Sequence, residues 1–306
     1  MGTHVVIKFT KFTVATQLPP SCTRNKMISQ LKVIQPAGLL VERTEVFNCI
    51  QARLSGLKFP ICTYPAATDI YISRVLLHGN YFDGHTVSRF LDALKRDRRL
   101  QFVDIGANIG VYSLPAARVA QVLAVEPNWR SMARLARAVH LGSVNSNITL
   151  VQNAVSDVCT KFNMGVDSTN QGHAFLMNAT RCIATLAGKP CNVLSQTSTV
   201  LLNDLLPLMR STAALLKVDV EGHEINVFTE SSAGHFFDHV DVRLVFMEWV
   251  FCKKQSPQVV QRLLNFFYTR NYTACDLRNC TLRRQHYRDW PENVLFKKLT
   301  YINDYF

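Results

Sequence analysis

From residue 101 onward, short apolar runs alternate with amphipathic stretches. "QFVDI" (101–105), "VLAVE" (122–126), "ITLVQ" (148–152), "ALLKVDV" (214–220), "VRLVFMEW" (242–249), "YTACDL" (272–277) and "NVLFKK" (293–298) have the length and residue content of strands. Between the second and third, "WRSMARLARAVHL" (129–141) places Met132, Leu135, Ala136 and Val139 on one stripe and Arg130, Arg134 and Arg137 on another, as an amphipathic helix does. "HTVSRFLDALKRD" (85–97) aligns Val87, Phe90, Leu91 and Leu94 in the same way. Its charged end at Lys95 and Arg96 suits the negative pole of a helix dipole. "DIYISRVLLHG" (69–79) is predicted as a strand. Such alternation predicts an α/β fold with a mainly parallel sheet and helices on both faces.

The rhythm fails in two places. Residues 1–70 carry Pro19, Pro20, Pro36, Pro60 and Pro65 with little periodicity and are expected to form an irregular extension before a domain spanning 71–306. Residues 157–200, rich in Gly, Ser, Thr and Asn, read as an insertion between the third and fourth strands. The 306 residues are 48% hydrophobic, enough for a large core. A net charge of +12 admits an acidic partner, but the basic residues are scattered and read as a solvated surface. Nine cysteines without a C-x-x-C pair are expected to be mostly reduced thiols. No stretch approaches the roughly 20 apolar residues of a membrane span, and Lys8 and Lys11 interrupt the apolar N-terminus. The expectation is therefore a cytoplasmic protein with no membrane span, against which stand N-x-S/T sequons at Asn147, Asn178, Asn271 and Asn279. Nothing in the pattern speaks to oligomeric state.

Candidate chemistry begins at "VDIGANIGVYS" (103–113), a strand, a glycine-rich turn and a helix start, which is where a doubly wound sheet receives a nucleotide. Gly106 and Gly110 permit turn conformations and close backbone approach. Asp104 would repel a pyrophosphate, so a ligand bearing hydrogen-bond donors, such as an amino-acid ammonium, fits better. Glu126, at the end of the next strand, can accept bonds from both ribose hydroxyls, and the turn and acid together point to a nucleoside ligand. Asn153, in "VQNAVSD" (151–157), follows the third strand, where its side chain and a backbone amide could meet an adenine.

The ordered set VDIGANIG, VEPN, NAVSD and LLKVDVEGHE resembles the FkbM-type methyltransferase family of class I S-adenosylmethionine-dependent enzymes, over roughly residues 75–250. The resemblance implies a Rossmann-like seven-stranded sheet, S-adenosylmethionine as cofactor, and O-methylation of a hydroxyl or carboxyl on a small molecule or sugar. It also implies that Asp104, Gly106, Asn108 and Gly110 line the methionine end, that Glu126 holds the ribose, and that Asn153 with Ala154 lies beside the adenine. One departure is Asn203, in "LLNDLL", where related chains read Leu-Asp.

"KVDVEGHE" (217–224) then falls at the carboxyl end of the central strand, where ligands of open α/β sheets bind. Asp219 would emerge beside the sulfonium, and Glu221, Gly222 and His223 would face the acceptor. His223 is the expected general base, because an imidazole titrates near neutral pH. Asp219 or Glu221 would orient acceptor or cofactor. Two acids and a histidine also raise a divalent metal, with Glu248 as a distant contributor, but no metal site is assigned. "HFFDH" (235–239) only loosely echoes a zinc motif. No Asp/Asn-Pro-Pro-aromatic motif for N-methylation is present, and Cys191 in "KPCN" precedes the fourth strand, which weighs against a nucleic-acid acceptor. The contrasting expectation from another class is a degenerate relative that binds the cofactor, or nothing, and serves as an interaction module.

Overall fold

The computed structural model describes residues 31–36, 47–167, 170–177 and 193–301. In chain order the strands are β1 (Val33–Ile34), β2 (Asn48–Leu54), β3 (Leu57–Thr63), β4 (Leu100–Ile105), β5 (Val122–Val125), β6 (Ile148–Val151), β7 (Ala154–Val155), β8 (Lys161–Asp167), β9 (Asn170–Leu176), β10 (Val193–Val200), β11 (Ala213–Val218), β12 (Asp241–Glu248), β13 (Tyr272–Cys275) and β14 (Asn293–Lys298). The α-helices are α1 (Ile72–Leu77), α2 (Gly84–Arg96), α3 (Ser113–Ala116), α4 (Trp129–Gly142), α5 (Glu224–Val227), α6 (His235–His239) and α7 (Pro257–Tyr268).

The main sheet has the order β1-β6-β5-β4-β11-β12-β14-β13. Strands β6, β5, β4, β11 and β12 are mutually parallel, whereas β14 runs antiparallel to both β12 and β13, and β1 antiparallel to β6. Each of the seven segments read as strands contains one. The sheet is nevertheless mixed and eight-stranded rather than seven-stranded, because β1 adds an edge and β14 returns antiparallel to its neighbours.

Strands β4, β5 and β11 are buried at every position, as expected of parallel strands covered on both faces. Their side chains alternate between two cores. Phe102, Ala124, Leu150 and Leu215 join Phe90 of α2 and Leu135 of α4 on one face. Val103, Val125, Leu216 and Met247 join Phe236 of α6 and Leu263 and Phe267 of α7 on the other. Arg134 departs from the solvated arginine stripe: it is buried, its guanidinium lying 3.9 Å from the centre of the Tyr64 ring.

Three sequence expectations change. Residues 72–77 are helical, not a strand, because the Asp69 carboxylate accepts hydrogen bonds from the backbone N–H groups of Ile72 (3.1 Å) and Ser73 (2.9 Å) and starts a helical turn. The stretch read as an irregular extension contains the hairpin β2–β3, whose Phe59, Ile61 and Cys62 belong to the core; residues 1–30 and 37–46 lie outside the described residues. The insertion supplies β8, β9 and β10, which with β7 just before it form a second sheet, β7-β10-β8-β9; its residues 168–169 and 178–192 lie outside the described residues.

The cysteines are not mostly reduced. Cys49 pairs with Cys62 across the hairpin, Cys275 with Cys280 beyond β13, and Cys159 is also in a disulfide, leaving buried Cys252 as the free thiol among the described residues. Among the described residues no helix is long and apolar enough to cross a membrane.

Leu216, fully buried in β11, tests this layering. Leu216→Ala is expected to cost about 2–5 kcal/mol through the cavity it leaves, seen as a lower urea midpoint with an unchanged m-value. A shift below about 1 kcal/mol would mean that the central strand is not sandwiched between two cores.

Candidate functional site

The carboxyl ends of β4, β5 and β11 meet at one cavity. After β4 the chain turns sharply, with the N–H groups of Gly106 and Ala107 both donating to the Val125 carbonyl at 2.9 and 3.0 Å. Gly106 has φ +86°, and a Cβ there would stand 1.8 Å from the Asp219 carbonyl oxygen, so the turn packs directly on the segment leaving β11. Gly110, at φ +94°, serves packing instead: a Cβ would meet Leu135 at 2.5 Å and Leu114 at 2.8 Å. Gly110 does not line the cavity, whereas Gly106, Ala107 and Asn108 do.

Glu126 is buried at the end of β5. Its two carboxylate oxygens accept from the N–H groups of Asn108 at 2.8 Å and Asn128 at 2.7 Å. Burial raises its pKa to about 7, against the pull of those two amides. Asn153 and Ala154 also line the cavity. The Asn153 side chain is bonded within the fold, accepting from the Lys32 N–H at 2.8 Å and donating to the Ser198 carbonyl at 3.2 Å.

Lys217 is the residue that sequence reading missed. It is buried in β11, and its Nζ lies 3.0 Å from the Gly106 carbonyl oxygen, 3.2 Å from Asp219 and 3.7 Å from Asp104. Burial works against its charge, but Asp219 and then Asp104 outweigh it and hold Lys217 above the ordinary lysine range. Asp104 accepts from Ser113 Oγ at 2.6 Å and does not line the cavity. It is therefore connected to the cavity through Lys217 rather than by lining it. The available signal was a lysine inside an otherwise apolar strand, which almost always needs a partner.

The turn after β11 places Glu221 at φ 58° and Gly222 at φ 92°. It is closed by Glu224, whose Oε1 accepts from the N–H groups of Val220 (3.0 Å) and Gly222 (3.1 Å). Asp219, Glu221 and His223 all line the cavity. His223 Nε2 lies 2.8 Å from Ser156 Oγ, and its ring meets Phe162 edge-on. Glu221 Oε2 lies 2.7 Å from Nε2 of His173 on β9. The inserted sheet thus roofs the cavity, contributing Met164, Ala174 and Leu176, and Asn108 Nδ2 donates to its Gly172 carbonyl at 3.1 Å. Neither His173 nor this roof was anticipated.

Asp219, Glu224 and Glu248 each bring a carboxylate oxygen within 4.8 Å of the others, and this is the set that could hold a cation. Burial, and then the charges of Asp219, Glu221 and Glu224, raise Glu248 to about 9. Asn203, the departure noted in the sequence, accepts from the Phe236 N–H at 2.7 Å and donates to the Ser231 carbonyl at 2.9 Å, which makes it a structural tie that does not line the cavity.

A buried acid after the second parallel strand, a glycine turn after the first and a charged end on the fourth thus share one cavity in a Rossmann-like sheet. The methyltransferase FkbM domain matches residues 104–274, more than half of the chain, and the chain belongs to that family. S-adenosylmethionine is the cofactor.

Among solved structures, the FkbM methyltransferase of Methylobacillus flagellatus KT is 14% identical over 64% of this chain and 43% of its own, with a TM-score of 0.40. An S-adenosylmethionine-dependent O-methyltransferase from Thermotoga maritima is 10% identical over 81% of this chain and 77% of its own, with a TM-score of 0.37. The T. thermophilus 16S rRNA N2 G1207 methyltransferase, solved with AdoMet and guanosine, is 15% identical over 83% of this chain and 51% of its own, with a TM-score of 0.38. No curated protein matches.

Two outcomes are expected. Gly106→Ala forces the turn off the Asp219 carbonyl and should abolish calorimetric binding of S-adenosylhomocysteine by a protein that still folds; retained affinity would show that the turn does not shape the pocket. The second concerns pH. Glu126 and Glu224 at about 7 and Glu248 at about 9 all lie above the 4.5 of a free glutamate, so the folded chain keeps protons that the unfolded chain releases. Stability of the ligand-free protein therefore declines as pH rises from 4.5 to about 9. Glu248→Gln should remove the upper part of the decline and raise Tm above pH 8 by about 2–4 °C. Parallel wild-type and variant curves would contradict it.

Proposed function

We propose that the chain methylates an oxygen, on a hydroxyl or carboxyl of a small molecule or sugar. The observation that carries this reading is that Glu126 and Gly106 share one cavity with Asp219, Glu221 and His223. A nucleoside cradle and a set of acid–base groups thus sit side by side. When bound, S-adenosylmethionine supplies an electrophilic methyl group.

The chain's own residues supply the rest. Glu126 accepts from ribose hydroxyls while Asn153 and Ala154 flank the adenine. The Gly106–Asn108 turn and Lys217, backed by Asp104, meet the amino-acid end, and Gly110 keeps that turn packed on α4. His223, whose ring is fixed by Ser156, takes the proton of an acceptor hydroxyl, and Asp219 and Glu221 orient the acceptor. The inserted sheet excludes water from above.

The cavity's acceptor side collects Asp219 and Glu221, with Glu224 and Glu248 next to them. A phosphate backbone would be repelled there, so the excess positive charge of the chain does not argue for a nucleic-acid substrate.

His223→Ala should lower turnover by about 10²-fold or more at saturating acceptor, with S-adenosylhomocysteine affinity unchanged. The readout is S-adenosylhomocysteine release across a panel of hydroxylated and carboxylated acceptors. Undiminished turnover would remove His223 as the base.

A further inference from the structure

The disulfides and the surface around β13 carry an inference about where this protein matures. Cys49, Cys62, Cys159, Cys275 and Cys280 are all in disulfides. Cysteine pairs persist in oxidising compartments and are rare where glutathione keeps thiols reduced. Each pair must lose two electrons and two protons to an oxidant such as a protein disulfide, which such a compartment supplies.

The same compartments attach glycans to N-x-S/T sequons, and the sequons of this chain differ sharply in setting. Asn147 is half-buried, and its Nδ2 is already engaged, donating to the Ala117 carbonyl at 3.0 Å. Asn178 lies outside the described residues. Asn271 and Asn279 are both exposed. Asn271 occupies a left-handed turn at φ 62° just before β13, with its backbone N–H bonded to the Tyr268 carbonyl and its carbonyl to the Leu299 N–H, so the backbone is fixed while the side chain points to water. Asn279 stands in the loop closed by Cys275–Cys280, and the hydroxyl of Thr281, the third residue of its sequon, donates to its Oδ1. Neither asparagine lines the cavity.

We propose that this chain matures in an oxidising, glycan-transferring lumen and carries N-linked glycans on Asn271 and Asn279. In each transfer the asparagine Nδ2 bonds to C1 of the first sugar of a lipid-diphosphate-linked oligosaccharide. The C1–O bond to the diphosphate breaks, the lipid diphosphate leaves, and the amide gives up one proton. The two glycans bracket β13, the last strand of the main sheet, whose outer edge no described strand covers. Bulky hydrophilic groups at both ends of an open edge oppose pairing with another chain. This departs from the cytoplasmic expectation of the sequence, and it stands whatever the methyl acceptor is.

The test is made on protein isolated from the cells that produce it, alkylated at lysis, and digested for mass spectrometry with and without peptide-N-glycosidase. The expected result is that peptides spanning Asn271 and Asn279 appear with aspartate at those positions only after the glycosidase. Asn147 stays asparagine throughout, and Cys49, Cys62, Cys275 and Cys280 accept the alkylating reagent only after reduction. Unmodified asparagine at both positions, or those cysteines alkylated without reduction, overturns the proposal.

Discussion

The buried cation of Lys217 is the contact on which the site depends. Taking an ammonium out of water costs several kcal/mol unless opposite charge and acceptors surround it. Here two carboxylates and a carbonyl do so, and they come from separate places: Asp104 from β4, Asp219 from the end of β11 and the carbonyl from the glycine turn. One nitrogen therefore ties the first strand, the turn and the central strand into a single arrangement. The missing side chain of Gly106 completes it, since the Asp219 carbonyl occupies the space where a Cβ would be. The glycine is needed for contact within the protein as much as for any ligand.

The strands were legible because parallel strands buried on both faces are largely apolar runs, and β4, β5 and β11 are so apart from Gln101, Asp104 and Lys217. Glu126, Asp219, Glu221 and His223 were legible for a related reason: they stand where such runs end. The misreadings share a cause. The short helix α1 is started by Asp69, a local hydrogen-bond pattern that competes with the apolar content of "DIYISRVLLHG". Lys217 was overlooked because its partners are remote in sequence. The disulfides have no motif spacing, and only the hairpin brings Cys49 opposite Cys62. His173 lies in a polar, glycine-containing stretch whose role depends on being folded over the cavity.

Electrostatically the site has two halves. Around Glu126, carboxylate charge is answered by backbone amides of the turn and of α4. Around Asp219 the answer comes from side chains as well: Lys217 faces Asp219, His173 faces Glu221 and two backbone amides meet Glu224, while a buried oxygen of Glu248 has no hydrogen-bond partner among the described residues. One half is matched by backbone amides, and the other holds four carboxylates in one place with a single buried oxygen left unmatched.

The bridge between His173 and Glu221 joins a residue of the inserted sheet to the turn of the central strand. The roof also reaches the rest of the chain through the backbone, by the Asp69–Asn170 bridge and the Gln171 N–H on the Thr68 carbonyl, and through β7, which pairs with β10 at two residues. The glycine turn, Glu126 and Lys217 all belong to the floor, so a change confined to the roof leaves them in place.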